Sequence, residues 1–130
     1  MLRASLLAFA LLSIAAPASA DSLLEGTWTG EGIVEPREGE PETVTCKVDY
    51  RQTSATVHAV DAICTSPSFA FEQTGELTTV REGRYVGEFE NAQYQIHGRL
   101  RVLISGEAPD AQALTFTSDQ ATGTLELRKL

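Results

Sequence analysis

From Thr43 onward the chain alternates apolar and polar side chains with the two-residue period of a β-strand. In Thr43-Val44-Thr45-Cys46-Lys47-Val48-Asp49-Tyr50-Arg51, the side chains of Val44, Cys46, Val48 and Tyr50 share one face and the polar residues share the other. The longest alternation sets Tyr94, Ile96, Gly98, Leu100, Val102 and Ile104 against Gln93, Gln95, His97, Arg99 and Arg101, which predicts a strand with one dry and one wet face. Upstream, residues 24–34 read as an opening strand with Leu24, Trp28 and Val34 on one face and Gly26, Gly30 and Gly32 between them. Residues 56–64 predict a third strand, with His58, Val60, Ala62 and Cys64 inward. Residues 68–74 predict a fourth, with Phe69 and Phe71 on one side, Gly75 as a bulge, and Leu77 and Val80 carrying the strand on. Residues 84–90 follow, and two short strands around 113–117 and 122–129 end the chain, making about eight.

Between these runs lie turn residues: Pro36 and Pro41 with four glutamates, Thr65-Ser66-Pro67, Glu82-Gly83, Asn91-Ala92, and a loop from Ser105 to Ala111 with Gly106 and Pro109. No helical period recurs after residue 20, so the expected fold is all-β. Short connections favour a meander, and a meander of eight antiparallel strands removes its edges by closing. A small up-and-down barrel is expected, with a two-sheet sandwich as the alternative. Its interior would hold Trp28, Tyr50, Phe69, Phe71, Phe89, Tyr94, Ile96 and Leu100.

Residues 1–20 follow a different pattern. Arg3 gives a charged start, Leu6 to Leu12 an apolar middle, and Ala18-Ser19-Ala20 a small-residue cleavage site, as in a secretory signal peptide. The apolar run is shorter than the roughly 20 residues a membrane-spanning helix needs. No cysteine follows the cleavage site to take a lipid. Cleavage after Ala20 leaves a single domain, residues 21–130, in the periplasm or outside the cell. Export in turn decides how the cysteines are read. Cys46 and Cys64 are the only two, and in an oxidising compartment they are expected to form one disulfide. A tight turn at Thr53 would leave them about 13 Å apart along the strands, beyond a disulfide's reach. If the bridge joins neighbouring strands, the register must put Tyr50 opposite Val60 and Val48 opposite Ala62, with a longer loop around residues 54–58.

Charge narrows the partners. Arg3 is the only charged side chain of the leader, so the mature domain carries nine basic and eighteen acidic side chains, a net charge near −9. Glu31, Glu35, Glu38, Glu40 and Glu42 crowd its first quarter, which argues against nucleic acid and against anionic membrane surfaces. The acidity serves solubility or meets a basic partner. Arg99, Arg101, Arg128 and Lys129 are a local exception.

No catalytic constellation stands out. His97 lies on the wet face of its strand, and His58 on the dry face of another, as a satisfied buried polar group. The serines lack the Gly-x-Ser-x-Gly setting, and Glu88 with Glu90 reads as a solvated edge. Gly26, Gly30 and Gly32 sit inside a strand and open no phosphate loop. Catalytic residues, cofactor and metal are each expected to be none. Trp28 either plugs one barrel end or lines a ligand; with Tyr50 and Tyr94 it forms the candidate ligand-lining set.

Several segments carry a family resemblance: Gly26-Thr27-Trp28-Thr29-Gly30-Glu31-Gly32, Cys46-Lys47-Val48-Asp49-Tyr50, Cys64, Tyr85-Val86-Gly87-Glu88-Phe89 with Asn91 and Tyr94, and Leu125-Glu126-Leu127-Arg128. The pattern resembles a family of short, functionally uncharacterised exported proteins of Gram-negative bacteria, which implies no known activity. More loosely it is similar to the periplasmic inhibitors of secreted metalloproteases, exported small barrels with an early Gly-x-Trp strand and one disulfide. That likeness implies an N-terminal arm, here Asp21-Ser22-Leu23, that enters a protease cleft. The expected function is thus a non-catalytic periplasmic or secreted barrel that binds a protein or small-molecule ligand. A metalloprotease inhibitor is the alternative, and an outer-membrane barrel is a third class that alternation alone does not separate.

Overall fold

The computed structural model describes residues 22–130; the expected leader lies outside the described residues. Eight strands follow one another: β1 (Gly26–Pro36), β2 (Glu42–Gln52), β3 (Val57–Thr65), β4 (Ala70–Arg81), β5 (Arg84–Asn91), β6 (Ile96–Ile104), β7 (Ala111–Ser118) and β8 (Ala121–Lys129). Each pairs antiparallel with the next, and β8 returns to pair with β1 from Trp28↔Lys129 to Pro36↔Ala121, closing the barrel. Closure leaves no sheet edge unpaired and so excludes the sandwich.

Alternation sorts the wall. Val44, Cys46, Val48 and Tyr50 of β2 are buried, as are Leu100, Val102 and Ile104 of β6 and Leu125 and Leu127 of β8. The intervening Lys47, Asp49, Arg51, Arg99, Arg101, Glu126 and Arg128 face outward. A wall that is charged outside and apolar inside is the reverse of a lipid-facing barrel, whose outer band is apolar. Of the four basic residues noted above, Arg99 and Arg101 lie on the outer face of β6 and Arg128 on that of β8, while Lys129 takes an inward, half-buried position at the end of β8.

Cys46 and Cys64 face each other across β2 and β3 and are bonded, with Tyr50↔Val60 and Val48↔Ala62 in the register their bridge demanded. Residues 53–56 form the longer loop, held where Thr53 N and Ser54 N donate to Val57 O.

Three expectations are corrected. Gly75 is not a bulge: it pairs regularly with Val60 and Phe89, and the register shift falls between Thr79 and Arg81. Val80 is accordingly 55% exposed. Gly75 is needed because a Cβ there would lie 2.5 Å from Glu88 O. Phe69 precedes β4 and is 37% exposed, because Ser66 Oγ accepts from Ser68 N and Phe69 N and closes a turn that ends the alternation. Tyr94, 46% exposed, belongs to the β5–β6 turn rather than to β6. There Asn91 Oδ1 accepts from Tyr94 N at 3.1 Å, and Gln95 adopts a left-handed φ of 54°. A side chain that caps its own turn outcompetes the hydrophobic pattern at its start.

Candidate functional site

The two ends of the barrel differ. At one end the floor is filled. Trp28 is wholly buried, its Nε1 donates to Leu24 O at 2.8 Å, and Leu24 tucks beneath it ahead of β1. Lys129 closes the outside: its Nζ sits 5.6 Å from the Trp28 ring centroid and donates to Leu23 O at 3.4 Å. Across the same end the Tyr50 hydroxyl donates to Gln112 Oε1 at 2.7 Å. Burial pushes the Tyr50 hydroxyl far above the usual phenol range, so it remains a neutral donor. His58 is 1% exposed, stands edge-on to Tyr85 with ring centroids 5.5 Å apart, and shares a hydrogen bond with Thr79 Oγ1 at 3.2 Å. Its Nδ1 has no partner, so the expectation of a fully satisfied histidine holds for one ring nitrogen only. Burial lowers its pKa, against a smaller pull upward from Glu25.

Above this floor the interior is close-packed. The void between the disulfide, Val44, Val48, Leu114 and Leu125 measures about 30 Å³. That is room for one water at most, and its apolar lining offers water few partners.

At the other end the barrel opens into a cup of about 380 Å³. Phe71, Phe89, Phe116 and Ile96 line it, with Phe69, Tyr94 and Pro36 also in its lining and the amides of Gln73, Asn91 and Gln120 among them. Two glycines make it. Phe89 pairs across β5–β6 with Gly98, and Phe116 across β7–β8 with Gly123. A Cβ on Gly98 would stand 2.4 Å from the Phe89 ring, and one on Gly123 2.1 Å from the Phe116 ring. Each ring thus lies over the bare backbone of its neighbour, in space a Cβ there would take. The two rings meet edge to face at 5.7 Å, and Phe69 and Phe71 form a second pair at 5.3 Å.

The three candidate ligand-lining residues are therefore not brought together. Trp28 and Tyr50 belong to the filled end, and Tyr94 alone stands at the cup. Phe116 was missed as a lining residue. Its signal was available in the sequence: once the turn at Asp119-Gln120 is placed, hairpin register puts Phe116 opposite Gly123. His97 is on the outer face, its Nδ1 4.0 Å from Glu90 Oε2. Among the described residues no group of three or more histidines, cysteines and acids is placed to hold a metal. What the cup offers chemically is aromatic surface and a few amide and hydroxyl groups, the composition of a binding pocket.

No family of known proteins matches this chain, and no curated protein does. Solved structures do. A redesigned β-barrel, mFAP1, bound to DFHBI is 16% identical over 86% of this chain and 100% of its own, with a TM-score of 0.70. The Rv2717c protein of M. tuberculosis is 14% identical over 88% of this chain and 98% of its own, at 0.55. The S-type phycobiliprotein lyase CPES of Guillardia theta is 10% identical over 83% and 89%, at 0.53. At such identities the shared property is the fold: this chain is a small closed antiparallel β-barrel.

Proposed function

We propose that the protein is an exported, non-catalytic barrel that holds a small, largely apolar ligand in the cup at its open end. The observation that carries this reading is the cup itself, about 380 Å³ of aromatic-lined space above an interior that is otherwise filled. That volume lies in the usual range for small-molecule sites, about 300–1,000 Å³. A barrel of similar fold, mFAP1, is bound to a small molecule, DFHBI, which lends the reading support. The disulfide is in keeping with an oxidising compartment.

The inhibitor reading relies on an N-terminal arm. The described part of that arm, Ser22 and Leu23, is half-buried: Leu23 packs against the core, and Ser22 Oγ accepts from Leu24 N and Glu25 N. The observations therefore favour the cup. Native mass spectrometry of the purified protein, with thermal shift across a panel of apolar and aromatic compounds, tests this reading. Binding that stabilises the protein and weakens in Tyr94→Ala is expected. A panel that binds nowhere, or binds the Tyr94→Ala protein equally well, overturns it.

A further inference from the structure

We infer that the cup selects a positively charged amphiphile: an organic cation with an aromatic or branched apolar body, of the quaternary or protonated amine class. The inference rests on the cup being a ligand site, and it adds the sign of the ligand's charge. Two independent features converge on it.

The first is the lining. Phe69, Phe71, Phe89, Phe116 and Tyr94 bring five aromatic rings to one cavity, and no basic side chain lines it. Aromatic faces carry negative electrostatic potential and attract cations held against them, most strongly when water is excluded. Phe69 and Tyr94, 37% and 46% exposed, with half-buried Phe116, present the open aromatic surface, while Phe71 and Phe89 are covered and back it from below.

The second is the charge around the mouth. The loop and strand start that follow Pro36 carry Glu38, Glu40 and Glu42 against Arg37, and the β7–β8 turn adds Asp119. Arg37 N donates to Gln120 O at 2.8 Å, tying these two segments together at the rim. Glu42 accepts from Ser68 Oγ, which holds one carboxylate beside the turn that presents Phe69. The other two connections at the mouth, residues 66–69 and 92–95, carry no charge. Four carboxylates thus face one guanidinium. On the neighbouring strand ends Glu35, Glu72 and Glu90 add to the excess, set against Arg99, which shares a surface depression with Glu90 and His97, and Lys47, which stands in the row of Glu72 across Ile63. The opposite end is balanced, with Glu25, Glu82, Glu107 and Asp110 against Arg81, Arg84, Arg128 and Lys129. The acidity of this protein is therefore concentrated where the cavity opens.

The size of the effect follows from Coulomb's law. One exposed carboxylate about 10 Å from a bound charge in water changes affinity about two-fold, so an excess of three gives about eight-fold at low salt. Screening reduces this at physiological ionic strength.

Three probes sharing one skeleton test the inference: (naphthylmethyl)trimethylammonium, its neutral carbon isostere, and naphthylacetate. Their binding to the purified protein is measured by naphthalene fluorescence at 20 mM and 300 mM NaCl. The cation is expected to bind about five- to ten-fold more tightly than either companion at low salt. Its advantage should shrink at high salt and in the Glu38→Gln/Glu40→Gln/Asp119→Asn protein, whose changes are all at exposed positions. Tyr94→Ala and Phe69→Ala should each weaken the cation about two- to five-fold. If the neutral isostere or naphthylacetate binds as tightly as the cation, selection for charge is overturned while the apolar cup stands. Cation binding that ignores both aromatic substitutions places the site elsewhere and overturns the inference. Failure of all three probes to bind overturns the inference and the cup reading together.

Discussion

Trp28 shows how one side chain closes a barrel end. Its ring fills the floor, and its indole nitrogen satisfies the buried carbonyl of Leu24, a residue that lies ahead of the first strand. Replacing it with phenylalanine keeps most of the apolar contact but strands that carbonyl. Trp28→Phe is therefore expected to lose about 1–3 kcal/mol, and Trp28→Ala about 3–5 kcal/mol, in urea unfolding. His58 supplies a pH signature. Its folded pKa lies below the ordinary 6.5 because burial penalises the charged ring. Its contribution to stability is thus complete above pH 6.5, where both states are neutral. As pH falls below 6.5 the unfolded chain takes up the proton first and stability drops, levelling off below the folded pKa. Urea midpoints at pH 7.5 and 5.0 should differ less in His58→Phe than in the parent. The inward position of His58 was legible from alternation; its unpartnered Nδ1 was not, because hydrogen-bond partners come from strands far apart in sequence.

At the level of elements, the β2–β3 hairpin was the most completely readable part of the chain. One chemical constraint, the bridge between Cys46 and Cys64, selected the register and hence the loop length. With a sequence separation of 18, the bridge is expected to stabilise the fold by about 3 kcal/mol in the chain-entropy account. The double substitution Cys46→Ala/Cys64→Ala should lower the melting temperature by roughly 10–20 °C. Both sulfurs are inside the wall, the cysteines being 2% and 5% exposed. Reduction by dithiothreitol should therefore be slow in native buffer and fast in urea, as followed by thiol titration. The β3–β4 and β5–β6 turns were read less well. Ser66 and Asn91 divert Phe69 and Tyr94 through hydrogen bonds from their own side chains, a local chemistry that a period-two count does not register.

For the whole molecule, closure produces two unlike ends from one repeating pattern. Inward residues near the Trp28 end meet across the axis and fill it, as Tyr50 on β2 meets Gln112 on β7. At the other end glycines opposite phenylalanines hold the rings to the wall, and a cup results. Stability and binding should accordingly separate. Tyr94→Ala, at an exposed position, is expected to leave the unfolding free energy within about 0.5 kcal/mol of the parent while weakening ligands of the cup. A cup ligand at one hundred times its dissociation constant should add about 2.7 kcal/mol to the parent, read as an upward shift in melting temperature. A Tyr94→Ala protein that melts far below the parent would show that this ring braces the fold instead.

The chain by itself determined the all-β class, a count of about eight strands, most of the inward and outward sets and the pairing of its two cysteines. Each follows from local alternation or from the reach of a single covalent bond. Whether the inward face would be filled or hollow was decided only by tertiary structure. In the fold Trp28 and Phe116 both take inward positions, although alternation singled out only Trp28, and nothing in a strand's own pattern distinguishes a ring that plugs the axis from one that lies along the wall. That depends on which glycine stands across from it and on which end of the barrel it occupies, and both are settled by pairing between strands.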